Sequence, residues 1–205
     1  MLIPKTIHQI WSSCNKPLPK AFVDLANTWK EFHPDWQYIF WDDQKMTAFM
    51  QRYYPDYVNF YNRFAYDVQR WDVIRYLILY QVGGLYVDFD TECLANIEAL
   101  LTADCCFGTD TKDNIIYAPL VKNAYLNNTY IASVPKHPFL KSVIDHVFNS
   151  DQMYVKEENK LLQVLRTSGA LMLSDVYNQY AFKEQIHVIP AEDLAPFSLL
   201  EAHAI

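Results

Sequence analysis

Strands and helices alternate along this chain, and that places it among α/β layered domains with a mostly parallel central sheet and added helices. Three observations carry the assignment. Short aromatic and β-branched runs recur at Lys5–Trp11, Trp36–Trp41, Leu85–Phe89, Cys105–Gly108, Asn127–Ser133 and Ile186–Ile189. Segments with helical apolar spacing separate many of them. The chain, 205 residues with 51% hydrophobic and 16% aromatic content, can bury a real core and is not disordered.

The elements follow in order. Lys5–Trp11 (K-T-I-H-Q-I-W) reads as a buried strand, and Cys14–Pro19 as a turn with two prolines. Ala21–His33 has apolar residues at helical spacing and stops before Pro34. Trp36–Trp41 alternates as a second strand, and Asp42-Asp43 caps a helix over Gln44–Tyr54. Pro55 opens a further helical stretch to Phe64. Its tyrosines and phenylalanine (Tyr53, Tyr54, Tyr57, Tyr61, Phe64) either pack on the main domain or dock an acceptor, a lipid-linked substrate or a membrane surface. Asp67–Val82 is the strongest helix, ending at Gly83-Gly84. In the second half, His137–Phe148, Lys160–Arg166 and Ala170–Tyr180 read as helices. The expected organisation is one domain over 1–205, with an aromatic-rich helical insertion over about 44–66.

Bulk properties exclude several functions. The chain carries 24 acidic against 17 basic residues, with no basic stripe, so nucleic acid is not an expected partner. The densest apolar run, Val73–Val82, is broken by Arg75 and Gln81 and is too short to span a bilayer. The start lacks the apolar core of a signal peptide. Cys14, Cys93, Cys105 and Cys106 have neither metal nor disulfide spacing, and read as reduced thiols of a cytoplasmic protein. Only four glycines occur, against roughly 14 at average usage, and two of them are adjacent.

Chemistry concentrates in Val68–Cys93. Asp88 and Asp90 flank Phe89 at a strand end. In an extended chain their side chains share one face and offer a hard oxygen site for a divalent cation. The plainer alternative is a solvated turn. Asp72 and Arg75 lie one helical step apart on a largely apolar helix, as a core salt bridge or as a clamp on sugar hydroxyls. Trp11, at a strand end, is either a core aromatic or a stacking face.

These residues resemble the glycosyltransferases with a DXD sugar-binding region. That family includes initiating mannosyltransferases, inositol-phosphoceramide mannosyltransferases and capsular polysaccharide transferases. Its pattern, (I/V)-Q-R-x-D-x-x-R-Y-x-x-L-Y-x-x-G-G-x-Y-x-D-x-D, is similar to Val68–Asp90 without a gap. I-P-K-T-I-H-Q-I-W (Ile3–Trp11), H-P-D-W-Q-Y-I-F-W-D-D (His33–Asp43), Asn128–Phe139 and the Ser168-Gly169 turn match other elements in family order.

The resemblance implies a GT-A-like nucleotide-sugar-binding domain, Mn2+ (or Mg2+), and retention at the anomeric carbon. It also implies a nucleoside-diphosphate donor, UDP-sugar or GDP-mannose, and a saccharide or lipid-linked saccharide acceptor. Capsular or cell-surface polysaccharide synthesis is the expected setting, in the cytoplasm or at the inner membrane face with peripheral contact. By residue, Trp11 would stack on the base, as in the more distant clostridial glucosylating toxins. Asp72 and Arg75 would hold the donor sugar, and Tyr86 would lie near the ribose. Asp88 would contact ribose and metal, Asp90 would ligate the metal, and Asn128 and Gly169 would line the sugar side. His203 would correspond to a histidine near the metal or diphosphate. Asp72, Arg75, Asp88 and Asp90 form the expected catalytic set. Three departures stand out: Trp71 where a small residue is usual, Ser168-Gly169-Ala170 where T-G-P is common, and a chain end close to His203. The alternative function is a nucleotide-sugar-binding protein that is non-catalytic or only hydrolyses its donor.

Overall fold

The computed structural model describes residues 3–13, 16–109, 124–149 and 159–194. Cys14 and His203 lie outside them. Six strands form one sheet: β1 (Thr6–Ile10), β2 (Gln37–Trp41), β3 (Gly84–Val87), β4 (Cys105–Gly108), β5 (Asn127–Ser133) and β6 (Ile186–Ile189). Their order is β2-β1-β3-β5-β4-β6. The β1–β2, β1–β3 and β4–β6 pairs are parallel, while β5 runs antiparallel to both β3 and β4. The sheet is therefore mixed, with β5 reversed inside a parallel frame.

Helices α1 (Lys20–Phe32), α2 (Asp43–Tyr53), α3 (Val58–Tyr61), α4 (Asp67–Val82), α5 (Pro138–Asn149), α6 (Lys160–Thr167), α7 (Ala170–Gln179) and α8 (Ala191–Leu194) complete the described elements, with short 3-10 turns between some of them. The helix expected over Pro55–Phe64 is broken. A 3-10 turn over Pro55–Tyr57 precedes the single turn of α3. Pro55 has no N–H with which to continue α2, so the chain restarts there. Tertiary contacts hold this short piece, since so few residues do not sustain a helix alone. Tyr57 stacks on Phe148 with ring centroids 4.1 Å apart, and Tyr54 and Tyr61 pack on the main core. The aromatic stretch is thus mostly core, with Tyr53 left 39% exposed. Among the described residues, no helix is long and apolar enough to cross a membrane.

Alternation along the strands divides the core. Leu85 and Val87 join Ile7, Trp29, Trp36 and Ala132 on one face, and Tyr86 joins Ile131, Phe107 and the α4, α5 and α7 side chains on the other. α4 lies within that second layer and is buried on most sides, including Gln69, Asp72 and Arg75. A helix buried all round must satisfy its polar groups internally. That condition builds the site.

The adjacent glycines each have a reason. Gly83 ends α4 at φ +70 and Gly84 starts β3 at φ +109. A Cβ on Gly83 would stand 2.8 Å from the Ser133 carbonyl oxygen, and one on Gly84 2.6 Å from that of Thr6. The buried His8 ring secures the turn. Its Nε2 donates to the Gly83 carbonyl at 2.9 Å, and its Nδ1 accepts from Trp41 Nε1 at 3.1 Å. Burial keeps this imidazole neutral and pushes its pKa down to about 4.

Candidate functional site

α4 runs antiparallel to β3, so its first turns lie over the carboxyl end of that strand. Ligands bind at such strand ends in α/β sheets. Two turns of α4 carry Asp72, Arg75 and Tyr76 inward, and β3 carries Tyr86 toward them. The strand stops at Val87, two residues earlier than expected. Asp88-Phe89-Asp90 therefore forms a turn, and the shared-face argument for the two acids fails. Phe89 is buried, forming edge contacts with Trp11 and Phe40. That anchor holds the turn, leaving Asp88 half-buried and Asp90 exposed at its surface.

Arg75 organises the site. Its Nη1 donates to Asp88 Oδ1 at 3.0 Å and to the Asn128 carbonyl at 2.9 Å, and its Nη2 lies 3.1 Å from Asp72 Oδ1. Its guanidinium carbon sits 4.4 Å from the Tyr86 ring centroid, a cation–π contact. Tyr86 donates its hydroxyl to Asp88 Oδ1 at 2.5 Å. Asp72 accepts from Asn128 Nδ2 at 2.9 Å on one oxygen and from Ser168 Oγ at 2.9 Å on the other. The pair is thus a core salt bridge, of which Arg75 reaches the cleft wall while Asp72 stays buried behind it.

The electrostatics follow from burial. Desolvation raises the Asp72 carboxyl to about 6, against the pull of Arg75 and the Ser168 and Asn128 hydrogen bonds. Desolvation alone would lower Arg75, but Asp88, Tyr86 and Asp72 hold it well above its usual range. Asp90 is raised by partial burial and then by the neighbouring Asp88. Asp72 and Asp88 thus share one guanidinium, with Asp90 beside Asp88, and the surplus negative charge suits a divalent cation with hard oxygen ligands. Asp88 and Asp90 are the residues that would hold it. Among the described residues no group of three or more His, Cys, Asp or Glu side chains converges on one point.

A cleft of about 250 Å³ opens at this edge, lined by Trp11, Phe22, Trp71, Arg75, Tyr86, Asp88 and Asp90 among others. Trp11 donates its indole N–H to the Lys16 carbonyl at 3.1 Å and meets Phe22 edge-on, so its ring is held rigidly. Gly169 is not on this wall. It sits at the α6–α7 junction, where a Cβ would approach Leu165 Cα to 3.0 Å, and close helix packing accounts for it. Four further residues, to which the sequence reading gave no part in the site, complete it. Ser168 and Tyr76 support Asp72, with the Tyr76 hydroxyl donating to the Ser168 carbonyl at 2.9 Å. Gln9 Nε2 and Thr91 Oγ1 both donate to the Asp88 carbonyl, at 3.1 and 2.6 Å. A polar Gln9 inside a buried strand was the available signal.

Residues 19–107 match the model of the glycosyltransferase sugar-binding region containing a DXD motif. The chain carries this glycosyltransferase region. It is 31% identical over 194 residues to inositol phosphoceramide mannosyltransferase 1 of Schizosaccharomyces pombe, covering 92% of this chain and 56% of that protein. It is 30% identical over 110 residues to an initiation-specific alpha-1,6-mannosyltransferase of Candida albicans, covering 48% and 29%. The chain spans about half the length of the first curated relatives it matches. Its fold is GT-A. It superposes on the PaToxG glycosyltransferase with a TM-score of 0.62 at 16% identity, over 86% of this chain and 68% of that one. For the UDP-bound glycosyltransferase domain of the YGT toxin the TM-score is 0.61 at 10% identity, over 97% and 82%.

Proposed function

We propose that this glycosyltransferase moves a hexose from a nucleoside-diphosphate donor to a hydroxyl of a glycan or glycolipid, with retention, and that it uses a divalent cation, Mn2+ or Mg2+. The observation that carries this reading is the tie from Asp72 through Arg75 to Asp88 at the mouth of an aromatic cleft. Mannose is the sugar the relatives' names favour.

Trp11 offers its face to the base, and Tyr86 with Asp88 borders the ribose. Asp72 and Asn128, hydrogen-bonded to each other beside Arg75, would hold the sugar hydroxyls. Arg75 stays protonated, so it supplies a fixed cation to charge developing on the departing diphosphate. A cation held by Asp88 and Asp90 would supply further Lewis-acid stabilisation of that diphosphate. Both oxygens of Asp72 already accept hydrogen bonds, which makes it a poor nucleophile. The acceptor hydroxyl therefore attacks on the face from which the diphosphate leaves. A setting in the cytoplasm at the inner membrane face, in glycolipid or cell-surface polysaccharide synthesis, belongs to the same proposal.

A thermal-shift screen of GDP-mannose and UDP-sugars, with and without manganese, tests the binding. A ligand at 100 times its Kd adds about 2.7 kcal/mol to the native state. No shift with any nucleotide sugar overturns the donor reading. Asp90→Ala is expected to abolish metal-dependent turnover, and full activity of that variant in EDTA overturns the metal assignment.

A further inference from the structure

Asp90 is exposed, and the backbone of the turn it shares with Asp88 aims its carboxylate. Whatever holds that backbone therefore bears on any ligand the two acids bind. Three ties act on it. Phe89 is buried against Trp11 and Phe40. The Asp88 N–H donates to the Thr129 carbonyl at 3.2 Å. The Asp88 carbonyl accepts from Gln9 Nε2 at 3.1 Å and from Thr91 Oγ1 at 2.6 Å, which occupies both of its lone pairs.

Both of these donors are buried, and a further partner commits each to its task. Gln9 shares a face of β1 with Ile7, within the layer that holds Trp29 and Val87. β1 lies between β2 and β3, so one side chain reaches both neighbours. Its Oε1 accepts from the Tyr38 hydroxyl at 2.7 Å. A backbone carbonyl only accepts, so the amide must turn its NH2 group to Asp88 and its oxygen to Tyr38. Thr91 has one hydroxyl proton. Trp29 Nε1, which only donates, reaches Thr91 Oγ1 at 3.2 Å and the Thr91 carbonyl at 3.1 Å. The Thr91 proton is thus left for Asp88, and the hydroxyl closes the turn three residues back. In an apolar layer an unmet amide or hydroxyl is costly, which makes each partner a constraint.

We propose that Gln9 and Thr91 are positioning residues for the divalent cation, setting its affinity through the backbone that carries Asp88 and Asp90. The inference rests on the cation proposed above. Groups that orient metal ligands without touching the metal typically contribute about 10–100-fold to its affinity. Thr91 makes the shorter bond and is the direct neighbour of Asp90, so its hydroxyl carries the larger share.

The free-Mn2+ EPR signal, read while manganese is titrated into the full chain with saturating GDP and separately with saturating UDP, tests the assignment. Thr91→Val keeps the side-chain shape, removes the hydroxyl and leaves the backbone carbonyl at 91 to take the Trp29 N–H. It should raise the Kd for Mn2+ about tenfold or more, and Thr91→Ser should stay within about threefold of wild type. Gln9→Met, of similar length, should also weaken Mn2+ about tenfold. A wild-type-like Kd in Thr91→Val overturns the role of Thr91, whatever happens to its melting temperature, since a merely structural bond would move stability alone. Equal weakening in Thr91→Ser and Thr91→Val overturns it too, because the hydroxyl would then not be the cause. If Gln9→Met does not fold, Tyr38→Phe frees the Oε1 end alone. It should weaken Mn2+ measurably, and an unchanged Kd overturns the role of Gln9. A wild-type chain that adds nothing to the manganese bound by the nucleotides themselves overturns the cation reading and this inference with it. Tight binding by the wild type with all variants unchanged overturns this inference alone.

Discussion

Arg75 joins Asp72 on its own helix to Asp88 on the turn after β3, at 3.1 and 3.0 Å. One planar cation thereby fixes the distance between the two carboxylates, to which the proposed function gives the sugar and the ribose with metal. A lysine ammonium is a point charge and cannot hold both carboxylates and the Asn128 carbonyl in one plane. Arg75→Lys is expected to fold and to lose about 10²-fold in kcat/KM, the scale of removing one preorganised donor. Arg75→Met should cost about 3–5 kcal/mol of stability, because it strands buried carboxylates. Steady-state kinetics and urea unfolding measure the two effects.

Asp72 sets an acid limit on activity. With its carboxyl raised to about 6 by burial, it takes up a proton as the pH falls through that value and loosens its hold on Arg75. kcat/KM should fall about tenfold per pH unit below about pH 6. The same carboxyl favours the folded state at low pH, and that contribution is lost as pH rises from about 4 to about 6. A pH–rate profile flat down to pH 4.5 would contradict the assignment.

His8 acts in the opposite sense. Its folded pKa of about 4 lies below its ordinary 6.5, so the unfolded chain binds the proton first. Stability present above pH 6.5 is lost as the pH falls toward 4, by up to about 3 kcal/mol. Asp72 offsets part of this in the wild type. The difference between wild type and His8→Gln isolates the histidine: in urea unfolding at pH 7 and 4.5, the wild type should lose more stability than the variant.

Gly84→Ala places a methyl group 2.6 Å from the Thr6 carbonyl oxygen at a backbone angle unsuited to alanine. Backbone strain and overpacking together should cost about 3 kcal/mol or more. A thermal melt within 2 °C of wild type, roughly 0.5 kcal/mol for a domain this size, would show that β1 yields freely.

Local features determined much of this protein from sequence alone. α4 was legible at both ends because apolar spacing starts at Asp67 and two glycines end it, and helix periodicity and capping are properties of neighbouring residues. The DXD pattern and the Asp72–Arg75 step are local patterns of the same kind, and both fall on the cluster around Arg75. What tertiary structure decided is how those residues are used. Asp72 is completed by Ser168, 96 residues away, and Asp88 by Gln9, 79 residues away. No local pattern encodes such distant partners. The acids ended in a turn because Phe89 found a pocket beside Trp11 and Phe40, and Gly169 was needed for helix packing at Leu165. Sequence thus set the chemistry of the groups near Arg75, while burial set their charge, their partners and the cleft they face.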